Sequence, residues 1–266
     1  MAIIRKTPEE IERMAAAGRV LVRCHDMLRR KARPGVSTAE LDEAAERFIR
    51  SQGAEPAFKG YRGFPGSICA SPNSMVVHGI PGGYKLSRGD VLSIDIGVVL
   101  DGWVADAAIT HPIGSISPVA RRLLATTQAG LLAAVEQCRA GNRLGDVSHA
   151  VERRVEDDGF SVIRSLVGHG IGRDMHEDPQ IPNFGEPGTG PQLEEGMVLA
   201  VEPMVNAGGP EVRMGPDNWA VYSRDGSLTA HFEHTVAITA EGPRILTPWH
   251  QSEGAEAPAA AQAAKA

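Results

Sequence analysis

Two aspartates lie inside apolar sequence between positions 91 and 110, VLSIDIGVVLDGWVADAAIT. Asp95 and Asp106 fall in two strand-like segments that flank Asp101-Gly102, a strong signal for a two-residue hairpin turn. Such a turn pairs Gly97 with Asp106, which makes the two aspartates diagonal neighbours on one face. That face could be solvated, but the flanking Ser, Gly, Val and Ala residues are too apolar for this interpretation. Since a buried carboxylate needs a partner, the pattern predicts a site for a cation or an ion pair.

A matching pair of acidic residues lies in the second half of the chain. Glu202 is in the apolar segment GMVLAVEPMV and Glu233 is in LTAHFEHTVAIT, and each segment predicts a strand. A long segment, 206–229, takes the place of the tight turn between them. Three histidines accompany these residues in the glycine-containing motifs VVHGIP and VGHGIGRDMHEDP: His78, His169 and His176.

Together these side chains predict a centre for two divalent cations. Four carboxylates carry a charge of about −4, and their mutual repulsion raises their pKa values when no cation is bound. Oxygen-rich ligation with a single imidazole suits Mn, Fe, Co or Zn. Two such ions can hold a water molecule between them, activate it and polarise a carbonyl group. The predicted chemistry is hydrolysis of an amide or an ester.

The elements that position these residues begin with two helices. Thr7-Pro8-Glu9-Glu10 combines an N-cap, a proline at the first helical position and a capping-box glutamate, which predicts a helix to about Leu28. A second helix is expected after Arg33-Pro34-Gly35, with apolar residues at helical spacing, and it stops at Gly53.

The chain also resembles itself at a shift of 106 residues. RPGVSTAELDEAAERFIRSQG (33–53) and RAGNRLGDVSHAVERRVEDDG (139–159) share six identities in 21 positions. With one further residue of slip, GDVLSID overlies GMVLAVE, which places Asp95 over Glu202. We prefer duplication to coincidence because the segments recur in nearly the same order. The sequence therefore predicts two related halves, about 1–115 and 116–248, that pack as a pseudo-symmetric fold with a site at the seam.

Composition narrows the class of protein. The chain has 266 residues, 42% of them hydrophobic, and a net charge of −6, which gives no general attraction for nucleic acid or anionic membranes. Three cysteines without a CxxC pair favour a reducing cytosol, and no apolar run approaches the roughly 18 residues of a membrane span. We expect a cytoplasmic monomer with one catalytic domain, 1–248, and a disordered Ala-rich tail, 249–266.

The order Asp95, Asp106, His169, Glu202, Glu233 closely resembles the metal-ligand set of bacterial type I methionine aminopeptidases. The supporting segments are KGYRGFPGSICASPNSMVVHGIPGGYKLSRGDVLSIDIGVVLDGWVAD, GHGIGRDMHEDPQI, GMVLAVEPM and FEHTVAIT. The resemblance covers about residues 3–248, with neither an N-terminal zinc-finger extension nor the helical insert of the second eukaryotic type. It implies an α+β, pseudo-two-fold pita-bread (creatinase-like) fold, in which helices flank a curved antiparallel sheet.

The resemblance also implies a function and residue roles. The enzyme would remove the N-terminal methionine from nascent polypeptides near the ribosome when the second residue is small. Asp95 and Glu233 would bind one or both ions, Asp106 would bridge them, and His169 would bind one. Glu202 would be both a ligand and a proton shuttle. His78 would contact the scissile amide nitrogen and His176 would stabilise the oxyanion, and the methionine pocket would be formed by four residues: Tyr61, Phe64, Cys69 and Trp219.

Several positions depart from the family pattern. Met175 stands where Phe is common, Ala107-Ala108 where Thr or Ser is usual, and His231 where Gln commonly precedes Glu233 by two residues. In an alternating strand His231 shares a face with Glu233. We therefore expect it to contact the metal ligands without binding a cation itself.

Three other functions compete with this one: a Xaa-Pro peptidase of the same fold, a binding module without activity, and a hydrolase of non-peptide esters or amides. The presence of all five ligands and both auxiliary histidines argues against the binding module. Because the chain begins Met1-Ala2, we also predict that its own mature form starts at Ala2.

Overall fold

The computed structural model describes residues 3–251. The elements of the first half are α1 (Pro8–Lys31), α2 (Thr38–Ser51), β1 (Glu55–Pro56), a 3-10 turn (Tyr61–Gly63), β2 (Cys69–Pro72), β3 (Met75–Val77), β4 (Val91–Leu100) and β5 (Trp103–Pro112). Those of the second half are α3 (Pro118–Gln137), α4 (Leu144–Asp157), β6 (Ser161–Val162), β7 (Val167–Gly170), β8 (Glu177–Pro182), β9 (Val198–Val201), β10 (Met204–Asn206), β11 (Val212–Met214), β12 (Val221–Ser223), β13 (Thr229–His231), β14 (His234–Thr239), β15 (Gly242–Ile245) and a 3-10 turn (Trp249–Gln251).

The first helix begins as the sequence predicts. The Thr7 side chain accepts the backbone N–H of Glu10, and the Glu10 carboxylate accepts the N–H of Thr7. This capping box satisfies two backbone donors at the exposed helix start. The helix continues one turn beyond the predicted Leu28, to Lys31, and packs against the β4–β5 hairpin.

The hairpin has the predicted register. Leu100 pairs with Trp103, Gly97 with Asp106. Asp101 and Gly102 both have positive φ, 51° and 75°, as a two-residue turn that follows the twist of its strands requires. The two metal-ligand candidates of the first half are therefore diagonal neighbours.

The internal repeat reappears in the helices. Helix α4 (Leu144–Asp157) begins and ends 106 residues after α2 (Thr38–Ser51). Both are followed by a glycine in the left-handed region, Gly53 with φ 73° and Gly159 with φ 79°. The shared stop signal fixes where each helix ends and where the chain turns back towards the sheet.

Every pairing among the described strands is antiparallel, and the strands are distributed over four small sheets. In the first half, β5 pairs with one edge of β4, while β2 and β1 share its other edge. In the second half, the order β15-β14-β9-β7-β8 forms the largest sheet. A large apolar core joins the inner faces of these sheets to all four helices.

The expected position of Glu202 and Glu233 inside continuous strands is wrong. Glu202 lies between β9 and β10, and Glu233 lies between β13 and β14. The β9–β14 pair and the β10–β13 pair belong to different sheets. The backbone therefore crosses from one sheet to the other twice, once at Glu202 and once at Glu233. Pro203, which cannot donate to a ladder, follows Glu202 at this crossing.

The predicted boundary of the tail also needs correction. Trp249 is 4% exposed, and its indole N–H donates to the carbonyl oxygen of Glu233 at 2.8 Å. Residues 249–251 are therefore part of the fold, because a large aromatic ring finds both apolar cover and a hydrogen-bond acceptor there. The remaining tail, 252–266, and the predicted cleavage after Met1 lie outside the described residues. None of the described helices is long and apolar enough to cross a membrane.

Candidate metal centre

Backbone contacts between the two halves bring the acidic residues together. The backbone N–H of Asp106 donates to Thr235 Oγ1 at 3.0 Å, and the same hydroxyl donates to the Asp106 carbonyl at 2.7 Å. The N–H of Glu233 donates to the Ala108 carbonyl at 2.9 Å. The segment around Glu233 is thus fastened to β5 on both sides of the acidic residue, with Asp106 opposite it.

Three of the five predicted ligands form a compact buried group. Ligand atoms of Asp106, His169 and Glu233 all lie within 4.8 Å of one another. These residues are 4%, 7% and 2% exposed. The carboxyl group of Asp95 lies close enough to that of Asp106 for each to shift the pKa of the other, which places a fourth candidate ligand in the same group.

Glu202, at the junction of β9 and β10, completes the set. Its Oε1 lies 3.5 Å from His169 Nε2, and its Oε2 lies 3.5 Å from His231 Nε2. The Asn183 side-chain amide donates to the Glu202 carbonyl at 3.1 Å and fixes the backbone at the strand junction. His169 Nδ1 lies 2.9 Å from the Gly170 carbonyl oxygen. Because this oxygen can only accept a hydrogen bond, Nδ1 carries the hydrogen, and Nε2 is left as the ligand atom.

The electrostatics of the centre are those of crowded, desolvated acids. Burial raises the pKa of Asp95, Asp106, Glu202 and Glu233, and the carboxylate of Asp95 raises the pKa of Asp106 further. Within residues 3–251, the basic groups within 4.0 Å of a carboxylate oxygen of these acids are two imidazoles, both beside Glu202, and neither Lys nor Arg is among them. Burial lowers the pKa of His169 to about 4, so this imidazole is neutral at physiological pH.

The unsatisfied atoms of the centre fit divalent cations. Asp95 Oδ1, Asp106 Oδ1, Glu233 Oε1 and His231 Nε2 are buried and have no hydrogen-bond partner. A native fold rarely leaves so many buried polar atoms unpaired in one place. Cations bound by the carboxylates would satisfy the oxygens and lower the pKa of each acid. The donor set of four carboxylates and one neutral imidazole is one that divalent transition metals accept.

The two auxiliary histidines lie at the rim of this centre. His176 and His169 have ring centroids 4.2 Å apart, and the Tyr61 hydroxyl lies 2.8 Å from His176 Nδ1. Both His78 and His176 reach solvent. Desolvation by the surrounding side chains lowers the pKa of His78, and the nearby His231 lowers it further. The imidazoles at the rim are thus neutral groups that can donate one hydrogen bond each.

The predicted pocket residues share one apolar cluster beside the centre. Phe64 and Cys69 are buried in it, and Tyr61 and Trp219 pack against it. The rings of Phe64 and Trp219 meet edge to face at 5.2 Å. Cys69 pairs directly with Asp95 across the β2–β4 ladder, so the apolar cluster begins where the carboxylates end.

The departures from the family pattern have structural explanations. Met175 is 4% exposed and lies in the same apolar cluster, where a flexible thioether fills irregular space. The Ala107 carbonyl accepts from His25 Nε2 at 2.9 Å, and the Ala108 carbonyl accepts from Glu233. Both alanines therefore contribute through the backbone, for which a hydroxyl side chain is not needed.

Three residues near the centre were missed from the sequence. Phe58 belongs to the apolar cluster, while Thr235 and Asn183 hold the backbone of the candidate ligands. The threonine directly after Glu233-His234 could have been noticed, because a small hydroxyl beside a ligand often supports it. Nothing in the local sequence of Asn183 or Phe58 distinguishes them from ordinary loop and core residues.

Acidic candidate ligands around one imidazole on a twofold-repeated α+β scaffold are typical of a class of metal-dependent hydrolases. In agreement, the model of metallopeptidase family M24 matches residues 12–240. Methionine aminopeptidase 1 of Bacillus subtilis is 53% identical over 245 residues, which cover 92% of this chain and 99% of that protein. Methionine aminopeptidase 1 of Mycobacterium tuberculosis is 48% identical, over 91% of this chain and 94% of that protein.

Solved structures give the same result. The crystal structure of methionine aminopeptidase from Thermotoga maritima has a TM-score of 0.91 and 43% identity, covering 92% of this chain and 99% of that chain. The chain therefore belongs to metallopeptidase family M24 and, within it, to the methionine aminopeptidases. The prolidase of Pyrococcus furiosus shares the fold alone, with a TM-score of 0.76 and 24% identity over 92% of this chain and 65% of that one. The predicted pita-bread fold is confirmed.

Proposed function

We propose that this protein removes the N-terminal methionine from polypeptides whose second residue is small. One observation carries the proposal: a buried group of carboxylates and one neutral imidazole lies directly beside an apolar cluster that includes Met175. The first can hold hydrolytic cations, and the second can accept an unbranched apolar side chain. Relatives that match this chain over nearly their whole length are named methionine aminopeptidases.

Two divalent ions balance the charge of the four acids. We assign these ions to five residues: Asp95, Asp106, His169, Glu202 and Glu233. When bound, divalent cations such as Co, Mn, Fe or Zn supply Lewis acidity and an activated water for attack on the scissile carbonyl. The chain determines what surrounds that chemistry. The free α-amine of a substrate would lie beside the loaded centre, which restricts cleavage to the terminal residue.

Glu202 is the proposed proton carrier. Its side chain is 13% exposed and lies between two imidazoles, those of His169 and His231. A carboxylate in this position would accept a proton from the attacking water and pass it on. The proton would go to the leaving amine at the rim, where His78 lies.

The rim histidines orient the substrate in this proposal. His176, whose Nδ1 contacts the Tyr61 hydroxyl, would direct Nε2 at the carbonyl oxygen of the scissile bond and stabilise negative charge there. His78 would contact the amide nitrogen. The methionine side chain would bind among the four predicted pocket residues, Tyr61, Phe64, Cys69 and Trp219, with Met175 beside them.

The cellular setting is part of the proposal. The substrates are the N-termini of nascent chains as they leave the ribosome, which places the enzyme in the cytoplasm, and we propose that it acts as a monomer. The net charge of −6 supports a substrate other than nucleic acid.

The test compares peptide classes and metals. Protein stripped with EDTA and reloaded with Co, Mn, Fe or Zn is assayed on Met-Ala-Ser and on a Xaa-Pro peptide of equal length. We expect cleavage of Met-Ala-Ser only after reloading, and loss of about 100-fold or more in kcat for Glu202→Gln. Cleavage of the Xaa-Pro peptide instead would show that the protein is a Xaa-Pro peptidase of the same fold. Full activity after stripping would refute the metal-dependent chemistry.

A further inference from the structure

The segment before α1 has an unusual buried lysine. Lys6 lies in an extended strap, residues 3–7, and its side chain is only 2% exposed. The backbone N–H of Lys6 donates to the Gly196 carbonyl at 2.7 Å. Its Nζ lies 2.5 Å from Glu177 Oε2 and donates to the Ile4 carbonyl at 3.2 Å. Lysine is almost never this buried unless it is paired. The pairing with Glu177 therefore allows the burial, and the question is what a buried ion pair does at this place.

The partner of Lys6 closes the loop that carries a rim histidine. We define the imidazole loop as residues 172–177, which include His176. Glu177 Oε1 accepts the backbone N–H of Arg173 at 3.0 Å and of Asp174 at 3.4 Å, so one carboxylate ties both ends of the loop together. Its other oxygen is held by Lys6, 171 positions away in sequence.

Packing around the ion pair leaves little freedom. A Cβ added to Gly172 would lie 2.5 Å from Glu177 Oε1 and 2.5 Å from Lys6 Cε. The Gly172 carbonyl accepts the N–H of Val104, the second residue of β5. The imidazole loop is therefore wedged between the hairpin and the strap, and Lys6 fills the space that would otherwise let it move.

A buried ion pair of this kind adds little net stability, since desolvation of both groups offsets most of their attraction. What it does fix is position. We propose that Lys6 is a positioning residue, which acts through Glu177 to hold His176 and Met175 against the substrate. This inference rests on the proposed function, in which both loop residues contact the substrate.

The strap provides its own control. Arg5, the neighbour of Lys6, forms an ion pair with Glu194 at 2.6 Å, but both side chains are more than half exposed. Arg5→Met removes a strap ion pair that does not touch the imidazole loop. If Lys6 merely anchored the strap, the two substitutions would act alike.

The kinetic test is a double-mutant comparison with His176→Ala. Lys6→Met is expected to lower kcat/KM for Met-Ala-Ser by about tenfold in the wild-type background, because small displacements of orienting groups are costly. In the His176→Ala background the same change should cost less than about threefold, since Met175 is then the one substrate-contacting residue of the loop that Lys6 still positions. Lys6→Arg should recover most of the loss, and Arg5→Met should have no effect in either background. Equal losses in both backgrounds would overturn the proposal.

Hydrogen exchange tests the same point without activity. In Lys6→Met, backbone amides of residues 172–177 should exchange faster than in the wild type, with little change elsewhere, and Arg5→Met should leave them unchanged. If Lys6→Met does not fold, Glu177→Gln gives the same comparison with the pair broken from the other side. Unchanged exchange in the loop refutes the positioning role. A wild-type protein that cleaves no methionyl peptide refutes the proposed function, while exchange still decides the role of Lys6.

Discussion

At the scale of single residues, the centre is built from groups that are unfavourable without cations. Asp106 is the clearest case, because it is 4% exposed, contacts the carboxyl group of Asp95 and retains an unpartnered Oδ1. Its backbone is held on both sides by Thr235, so the side chain cannot turn away to solvent. The fold sets the position of the Asp106 side chain, and the free-energy cost of burying its carboxylate is offset only when cations bind.

Asp106→Asn should therefore separate metal binding from folding. We expect metal affinity to fall by at least about 100-fold, since a central ligand is lost. The stripped protein should become more stable at pH 8, by about 1 kcal/mol or more, because one of several mutually repelling buried acids is removed. Calorimetric titration with Mn and thermal unfolding of stripped protein measure the two effects.

The matched control for this pair of measurements is Asp101→Asn. Asp101 is exposed at the hairpin turn, and asparagine tolerates its positive φ of 51°. Neither metal affinity nor stability should change. A stripped Asp106→Asn protein that is less stable than the wild type would show that Asp106 is a structural acceptor rather than a metal ligand.

At the scale of elements, the hairpin joins the centre to the pocket. Gly97 pairs with Asp106 across β4 and β5, and it lies against the apolar cluster on its other side. A Cβ at Gly97 would lie 2.6 Å from Met175 Cε and 2.8 Å from Phe58 Cε1. The absence of a side chain here lets Met175 enter the cluster.

Gly97→Ala should damage the pocket more than the fold. Overpacking costs about 1–3 kcal/mol in general, and here it displaces the flexible end of Met175 together with Phe58 and Ala57 on the same side of the hairpin. We expect KM for Met-Ala-Ser to rise by about tenfold or more while metal affinity is unchanged. Gly83→Ala is the control, because a Cβ there has open space and should change nothing. An unaltered KM for Gly97→Ala would show that Met175 does not border the substrate.

The hairpin was predictable in detail because a two-residue turn fixes register without knowledge of the rest of the chain. The strand junctions at Glu202 and Glu233 were not predictable, because periodicity shows which residues are buried but not which sheet they join. Trp249 was likewise assigned to the tail, since its acceptor, the carbonyl oxygen of Glu233, lies on a distant strand. The candidate ligand set was visible in the types and order of residues, and the proposed role of Lys6 was not, because its partner is 171 positions away.

At the scale of the whole molecule, the centre couples the two halves of the chain. Asp95 and Asp106 come from one hairpin, whereas His169, Glu202 and Glu233 come from the second half. Cations that bind only the assembled centre must stabilise the native state, by an amount that grows with the logarithm of their concentration. Without cations, the same centre opposes the assembly of the halves.

This opposition gives the stripped protein an unusual dependence on pH. Burial raises the pKa of Asp95 to about 7 and that of Glu202 to about 8, above the value near 4 of an unfolded carboxyl group. Groups raised in this way add stability that is complete below the unfolded pKa and is lost as pH rises through the folded pKa. Between pH 7 and 8 the folded state holds extra protons, so stability falls by about 1.4 kcal/mol per pH unit for each of them.

Other titrating groups explain why this window is the informative one. Burial lowers the pKa of His25 to about 4 and of His111 to about 3, so below about pH 6.5 protonation of these histidines in the unfolded state destabilises the fold. Burial raises the pKa of Cys24 to about 12. This thiol therefore affects the pH dependence of stability only above the pKa of an unfolded cysteine, near 8.5. Between these ranges the acids of the centre dominate the slope.

We therefore expect the melting temperature of EDTA-treated protein to fall from pH 7 to pH 8, and Glu202→Gln to show a shallower fall. Protein saturated with Mn should show no such fall, because cations hold the acids in their charged form and compete better with protons as pH rises. Scanning calorimetry of the three samples at matched ionic strength makes the comparison. A stripped wild-type protein whose melting temperature rises across this window would mean that the four acids are already charged and satisfied without metal, and the electrostatic case for the centre would fail.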